Sequence, residues 1–245
     1  NTDASVVGGN TYGANLAVNA DNTVDSSINA GTGAAGAAAV AGTLVVNLAQ
    51  TQTSASIGRA GVTTNVGVDG DVEVSSHTDT RFINTVVSGA FAGGSAIAGM
   101  AQYQQIANTT QAGIVDATVA AGAVDVSALE ELEIKASSGI VAGGLGTGVG
   151  AAANITLLGS KVAATISGGK ISSGGAVKVD AASIRDIEMT TATAGIGMST
   201  GIGGAASVLL SGIGDIGDVL GEVSGTKGEA DSLASSQKLD ASVTG

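Results

Sequence analysis

Acid–base chemistry needs a histidine or a pair of carboxylates, and the chain offers few places to look for either. His77 is its only histidine, with Ser75 and Asp79 two residues to either side. A nucleophile–histidine–carboxylate triad needs three groups that converge on one another. Neighbours at i±2 on an extended chain share a face but stand side by side, so His77 reads as a polar residue on an outward strand or turn. Carboxylates are more suggestive. Asp69, Asp71 and Glu73 alternate so that all three face one side of a strand. Glu130, Glu131 and Glu133 lie at a nearly equivalent repeat position, and Asp186 with Glu188 makes a third group. Carboxylates gathered on one face suit a hard cation such as Ca²⁺, or the acid and base of a polysaccharide-cleaving site. Asp69, Asp71, Glu73, Glu130, Glu131 and Glu133 are therefore the candidate weak Ca²⁺ ligands, and Ca²⁺ is the one cofactor the sequence suggests. No EF-hand loop or nonapeptide calcium repeat accompanies them. Like charges along an exposed strand also keep a protein soluble and guard it against lateral association. Solvation is their expected role, and no residue is assigned to catalysis.

Other groups say less. The three arginines, Arg59, Arg81 and Arg185, are too few to line the cationic groove of a polysaccharide lyase. GxG strings at 144–150 and 195–197 open no βαβ unit and no P-loop lysine follows them; with 40 glycines in 245 residues such strings arise by chance. Tyr103, beside Gln102, Gln104 and Gln105, is the candidate exposed contact point for a ligand. Asn108 and Asn154 open Asn-x-Thr sequons, but their expected role is as ladder or turn asparagines.

The elements that position these residues have an unusual composition. Two Tyr and two Phe are the only aromatics, and Pro, Cys and Trp are absent, yet 44 % of the chain is hydrophobic. An interior of Ala, Val, Ile and Leu without aromatic bulk suits an architecture that is narrow everywhere and repeated. Lack of cysteine excludes a disulfide framework and thiolate metal sites, and lack of proline excludes collagen. Charged residues are only 12 % of the chain, which argues against charged disorder. A net charge of −12 leaves no basic footprint for nucleic acid. The chain opens Asn1-Thr2-Asp3 with no basic leader, so a processed or excised piece of a longer protein is expected.

Marking the charges exposes a repeat. Uncharged tracts occupy 26–58, 82–115, 136–160 and 189–214, and their starts lie 56, 54 and 53 residues apart. Each contains a run of small residues, at 33–42, 89–99, 143–153 and 201–206. The tracts are not membrane spans: Gln102, Gln104, Gln105, Asn108 and Gln111 interrupt the second, and none has basic flanks. Self-similarity at about 54 residues is a solenoid signature. Within each unit the hydrophobic period is two, as in Val72-Glu73-Val74, Leu132-Glu133-Ile134 and Val177-Lys178-Val179, which marks half-buried strands. The segments 34–41 and 129–135 are the helical alternatives. Flanking glycines argue against the first, and the register of Leu132 and Ile134, matched to Val72 and Val74, argues against the second. The fold class is therefore all-β, a single-stranded parallel β-helix (β-solenoid). With rungs of about 18–22 residues, three to a repeat, it would have roughly 12–13 rungs and a rod length of about 55–60 Å. The solenoid is expected over 1–220, with repeats starting near 26, 82, 136 and 189, and with polar terminal rungs or a frayed tail over 221–245.

The order small-residue tract, VVNLxxTxTSASIG, AGVTTNVGVDGDVEVSSHTDT, which is Val45 to Thr80 here, resembles the repeated passenger segments of large bacterial surface adhesins of the haemagglutinin and autotransporter type. Looser matches follow at 113–135 and 162–182, so the likeness covers about 33–221. It implies a right-handed β-helix, exported and displayed at the bacterial cell surface, outside the membrane, that contacts a protein or glycan on host or neighbouring cells. On that reading the chain is a segment of a secreted adhesin, a scaffold and contact surface without catalysis. The alternatives are a polysaccharide-active enzyme or carbohydrate-binding module on the same scaffold, and a structural fibre that self-associates through end rungs stacked head to tail.

Overall fold

A computed structural model describes residues 1–212 and 238–244. Three sheets run through it, and every strand pairing is parallel. The front sheet is β3 (Leu16–Gly36), β6 (Val72–Ala92), β9 (Val124–Gly144) and β12 (Val177–Gly197). The back sheet contains β1 (Thr2–Val6), β4 (Ala39–Ile57), β7 (Ser95–Val115), β10 (Thr147–Ser167) and β13 (Thr200–Ser211). β14 (Lys238–Thr244) joins it by pairing with β10 from Lys161 onward. A short side sheet holds β2 (Gly9–Gly13), β5 (Thr64–Val68), β8 (Ala117–Ala121) and β11 (Lys170–Ser173). The chain climbs front, back and side in turn, one level at a time. It is an all-β parallel solenoid, as its two-residue periodicity requires; of the helical alternatives, 129–135 is strand throughout and 34–41 is two strand ends around a turn at 37–38.

The rung is much longer than expected. Val72 pairs with Val124, and Val124 with Val177, so one turn takes 52 and then 53 residues. The whole repeat is a single rung, and the described chain makes about four turns instead of 12–13. The turns at 69–70, 168–169 and 173–175 are corners within long rungs, the first on the second level and the other two on the fourth. The stack is accordingly about 20 Å high, while a 21-residue strand spans about 70 Å, which replaces the long thin rod with a broad blade. Register also corrects the matched positions: Val72 and Val74 pair with Val124 and Val126, while Leu132 and Ile134 pair with Thr80 and Phe82. The first rung is longer because a loop at 58–63 joins β4 to β5, where Asp116 alone joins β7 to β8. Asp116 accepts the left-handed conformation, φ 48°, which short polar side chains tolerate best.

Front and back sheets meet at a two-residue turn, at 37–38, 93–94, 145–146 and 198–199, and there the small-residue tracts belong. Close to the turn the sheets converge, and inward positions hold Ala39, Ala41, Ala90, Ala96, Ala98 and Ala142. At Gly148 a Cβ would overlap the carbonyl oxygens of Ala142 and Ile196. At the other edge the side sheet props the two apart, and the interior is filled by Val18, Ile57, Val72, Val74, Ile114, Val126 and Ile166. Phe82, Ile106, Leu132, Ile134 and Leu158 form a second apolar layer midway. The corners stack by backbone hydrogen bonds: Gly70 N–H donates to Ala14 O at 2.7 Å, Gly122 to Gly70 at 2.5 Å and Gly175 to Gly122 at 2.6 Å. Among the described residues no helix is long and apolar enough to cross a membrane. The expectation for 221–245 lies outside the described residues apart from β14.

Candidate functional site

The two broad outer faces are the surfaces on which side chains are displayed, and they differ. On the front face, outward positions of successive strands stack charge upon charge. His77 on β6 has Nδ1 3.7 Å from Asp21 on β3 and Nε2 3.3 Å from Glu131 on β9, so it bridges three rungs. Its partners come from neighbouring strands and not from Ser75 or Asp79, because i±2 neighbours point in parallel while the next rung lies about 4.8 Å away. Arg81 Nε reaches Glu133 at 2.8 Å, and Lys135 bonds the same carboxylate. The Lys135 hydrogen bond, reinforced by the charges of Arg81 and Lys135, holds the Glu133 carboxyl below its ordinary range, and Glu133 in turn raises Lys135. Lys178 is raised by Asp180, with Asp125 adding to the effect. Asp79, Glu131, Glu133 and Asp186 border a shallow groove of about 250 Å³ with Ile184 in it.

The back face is the opposite. β4, β7 and β13 carry no charged side chain and β10 carries only Lys161. Its outward positions form columns up the stack. Val40, Ile97, Val149 and Ile202 make one ridge; Gly42, Gly99, Ala151 and Gly204 make a furrow; Val46, Tyr103, Ile155 and Val208 make a second ridge. Val40 and Leu44 are 72 % and 71 % exposed.

Between the faces lies a polar seam that the sequence reading missed. Thr78 donates to Thr53 at 2.7 Å and Thr110 to Thr78 at 2.8 Å. Asn108 donates to Thr80 at 3.2 Å and to Glu130 at 3.0 Å. Glu130 is wholly buried. It accepts hydrogen bonds from Ser160 on β10 and, at 2.8 Å, from Ser183 on β12, and the Arg185 guanidinium lies 3.7 Å away. One carboxylate thus ties together three consecutive rungs. Nearer the turn Asn84 donates to Gln104 at 3.3 Å, while the Asn154 side chain and the Thr156 hydroxyl, both fully buried, have no hydrogen-bond partner among the described residues.

This placement redistributes the sequence candidates. Glu130 points inward, and Glu131 and Glu133 point outward. Glu73 pairs with Asp125, not with the later glutamates, so Asp69, Asp71 and Glu73 stand about 20 Å or more along the strand direction from Glu131 and Glu133. Among the described residues no three His, Asp or Glu side chains come together in a way that could hold a metal ion. Gln102 and Gln104 are buried, 1 % and 0 % exposed, so the contact point expected at Tyr103 loses both glutamines. Tyr103 faces outward, its hydroxyl donating to Gln105 at 3.2 Å. Strand parity is the reason, and it was available: Met100, Gln102, Gln104 and Ile106 fall on one face, as Glu130 does with Leu132 and Ile134. Asn108 and Asn154 are interior ladder residues, buried away from any glycosylating enzyme once folded.

Compared with known protein families, with curated proteins and with solved structures, the chain gives no match, and its assignment to the parallel β-solenoids rests on its own strand register.

Proposed function

We propose that the chain is a segment of a secreted bacterial adhesin, a rigid repetitive scaffold displayed at the cell surface that works by noncovalent contact and carries no catalytic centre. The observation that carries this reading is the unbroken stack itself. Four rungs in near-constant register present two flat faces, one of which carries ionic side chains over the half of its strands of about 70 Å that lies next to the side sheet. Of the carboxylates that the sequence singles out, Asp69, Asp71 and Glu73 stand well along that face from Glu131 and Glu133. The motif likeness at 45–80 points the same way. A protein or glycan on a neighbouring cell is the partner, met through the front face, and many copies on one cell would multiply a weak contact.

The test is binding of bead-immobilised chain to host or bacterial cells and to a glycan panel. Saturable retention that falls when Arg81, Lys135 and Lys178 are changed to Glu supports the proposal. Retention indifferent to that change, or release of new reducing ends from a polysaccharide, sinks it. A carbohydrate-binding module is the second reading, favoured by the groove between Asp79, Glu131 and Asp186; selective retention by one glycan class would select it.

A further inference from the structure

The back face carries an inference that the adhesin reading does not supply. Protein surfaces rarely leave a contiguous apolar patch beyond a few hundred Å² in contact with water. Here the outward positions from Val40 to Leu48, repeated over four strands, cover about 30 Å by 19 Å, or roughly 550 Å², with one corner, at Leu157 and Leu210, already buried and Tyr103 packed against it. The interior at the same level holds Gln102, Gln104, Asn84 and Asn154. At this level, then, the outside of the back sheet is more apolar than its inside, which is the pattern of a surface that meets another apolar surface.

We propose that the back face packs against the back face of a second copy of the chain, as a two-fold dimer. Three observations choose that occupant. First, charge: a two-fold contact sets a surface against itself, and the back face brings no like charges together, whereas the front face would oppose carboxylate to carboxylate. Second, size: two such patches, less the covered corner, bury about 1,000 Å², the least that a specific interface needs. Third, shape: the Val46 ridge and the Gly42 furrow run parallel on either side of the Leu44 column, so that a two-fold along that column lays the Val46 ridge of each copy into the furrow of the other. A lipid surface fits less well. The open edges of the first and fourth rungs would carry unpaired peptide groups into hydrocarbon, while a face-to-face pair leaves those edges in water.

Sedimentation velocity on the chain from 1 to 100 µM, with and without Ile97→Lys/Ile155→Lys, tests this. Both side chains point outward, and circular dichroism and the thermal midpoint check the fold. The expected result is a wild-type dimer whose Kd rises at least 100-fold in the double variant, with Val87→Lys on the front face leaving it unchanged. Because the chain contains no cysteine, a second measurement is independent of stability. Ala101→Cys, in the middle of the back face, should crosslink between copies with a short bismaleimide, and Thr85→Cys on the front face should not. A wild type that stays monomeric to 100 µM overturns the proposal, as does a dimer indifferent to the lysines or crosslinking equal at both positions. A monomer whose Ala101→Cys is shielded from reagent, or one that binds neutral phosphatidylcholine vesicles through Ile97 and Ile155, assigns the face to the chain itself or to lipid and also overturns it.

Discussion

The front and back sheets share an interior, yet their outer faces differ: the front carries ions on the half next to the side sheet, and the back strands β4, β7 and β13 carry none. Front strands place Asp21, His77, Glu131 and Ile184 near one another up the stack; back strands place Val40, Ile97, Val149 and Ile202 in one column. The difference explains the charge pattern of the sequence. Each charged island is the half of a front strand next to the side sheet, together with the corners. Each uncharged tract is the other half of that front strand, the turn between the sheets and all or most of the back strand that follows. A period in charge here records position around the rung and comes once per rung. The inner faces, in contrast, are alike: both mix small apolar residues with hydroxyl and amide groups, and both are constrained by the other.

Inside against outside is therefore where substitutions should separate most, and adjacent residues of one strand give the sharpest contrast. Glu130→Leu removes a buried carboxylate while leaving Arg185, Ser160, Ser183 and Asn108 in place. Breaking a buried charge pair by removing one partner destabilises by about 3–5 kcal/mol. Glu131→Leu, one residue on but outward, should shift stability by less than about 0.5 kcal/mol. Urea midpoints for the two variants decide it. Equal midpoints would mean that Glu130 is hydrated and the interior seam is not closed.

Among glycines the same contrast is steric. Gly148→Val drives a side chain into the carbonyls of Ala142 and Ile196; overpacking of this kind costs about 1–3 kcal/mol and more where backbone must move. Gly139→Val, on the outer face of the front sheet with open space around it, should be neutral or slightly stabilising, since a β-branched residue suits a strand better than glycine. If both variants melt alike, the close approach of the sheets near the turn is relaxed at little cost.

Much of this was legible in the residues, and the rest was not for definable reasons. Alternation at Val72–Val74 and Val177–Val179 fixes strands, and the small-residue tracts fix where two sheets approach closely. Rung length stayed hidden because a repeat of about 54 residues permits three short rungs or one long one. Corner residues such as Asp69-Gly70 look the same in either case. Only pairing partners distinguish them, and parallel pairing is a long-range property. The interior polar seam was hidden for a different reason. Gln102, Gln104 and Glu130 contradict the expectation that inward positions are apolar, so composition argued outward where parity argued inward. Parity wins because a 21-residue strand with no bulge cannot change phase.

The orphaned interior groups give a prediction of opposite sign. Thr156 is fully buried and its hydroxyl has no hydrogen-bond partner among the described residues. Valine has nearly the same shape and removes the desolvation penalty of the hydroxyl, so Thr156→Val should raise stability by about 1 kcal/mol. A loss of that size, measured by urea denaturation, would place a hydrogen-bonding partner at Thr156 and make the seam a satisfied network.

The smallest expected effect lies back on the front face and depends on pH. Glu133 has a folded-state carboxyl pushed below the ordinary 4.5 by the Lys135 hydrogen bond and the Arg81 charge. A depressed carboxyl contributes stability at pH above the unfolded value, and that contribution fades as pH falls through the lower, folded one. Lys135 is the mirror case: its folded value lies above 10.5, so its contribution is complete below pH 10.5 and fades as pH rises through the folded value. Both groups are solvent-exposed, and salt screens such pairs. Glu133→Gln should therefore make the fall in thermal midpoint below pH 4.5 shallower, and the two proteins should converge in 1 M NaCl. If the variant follows the wild type at every pH in low salt, the Arg81–Glu133–Lys135 ladder contributes nothing to holding the rungs together. The front face would then be stabilised, like the back, entirely from within.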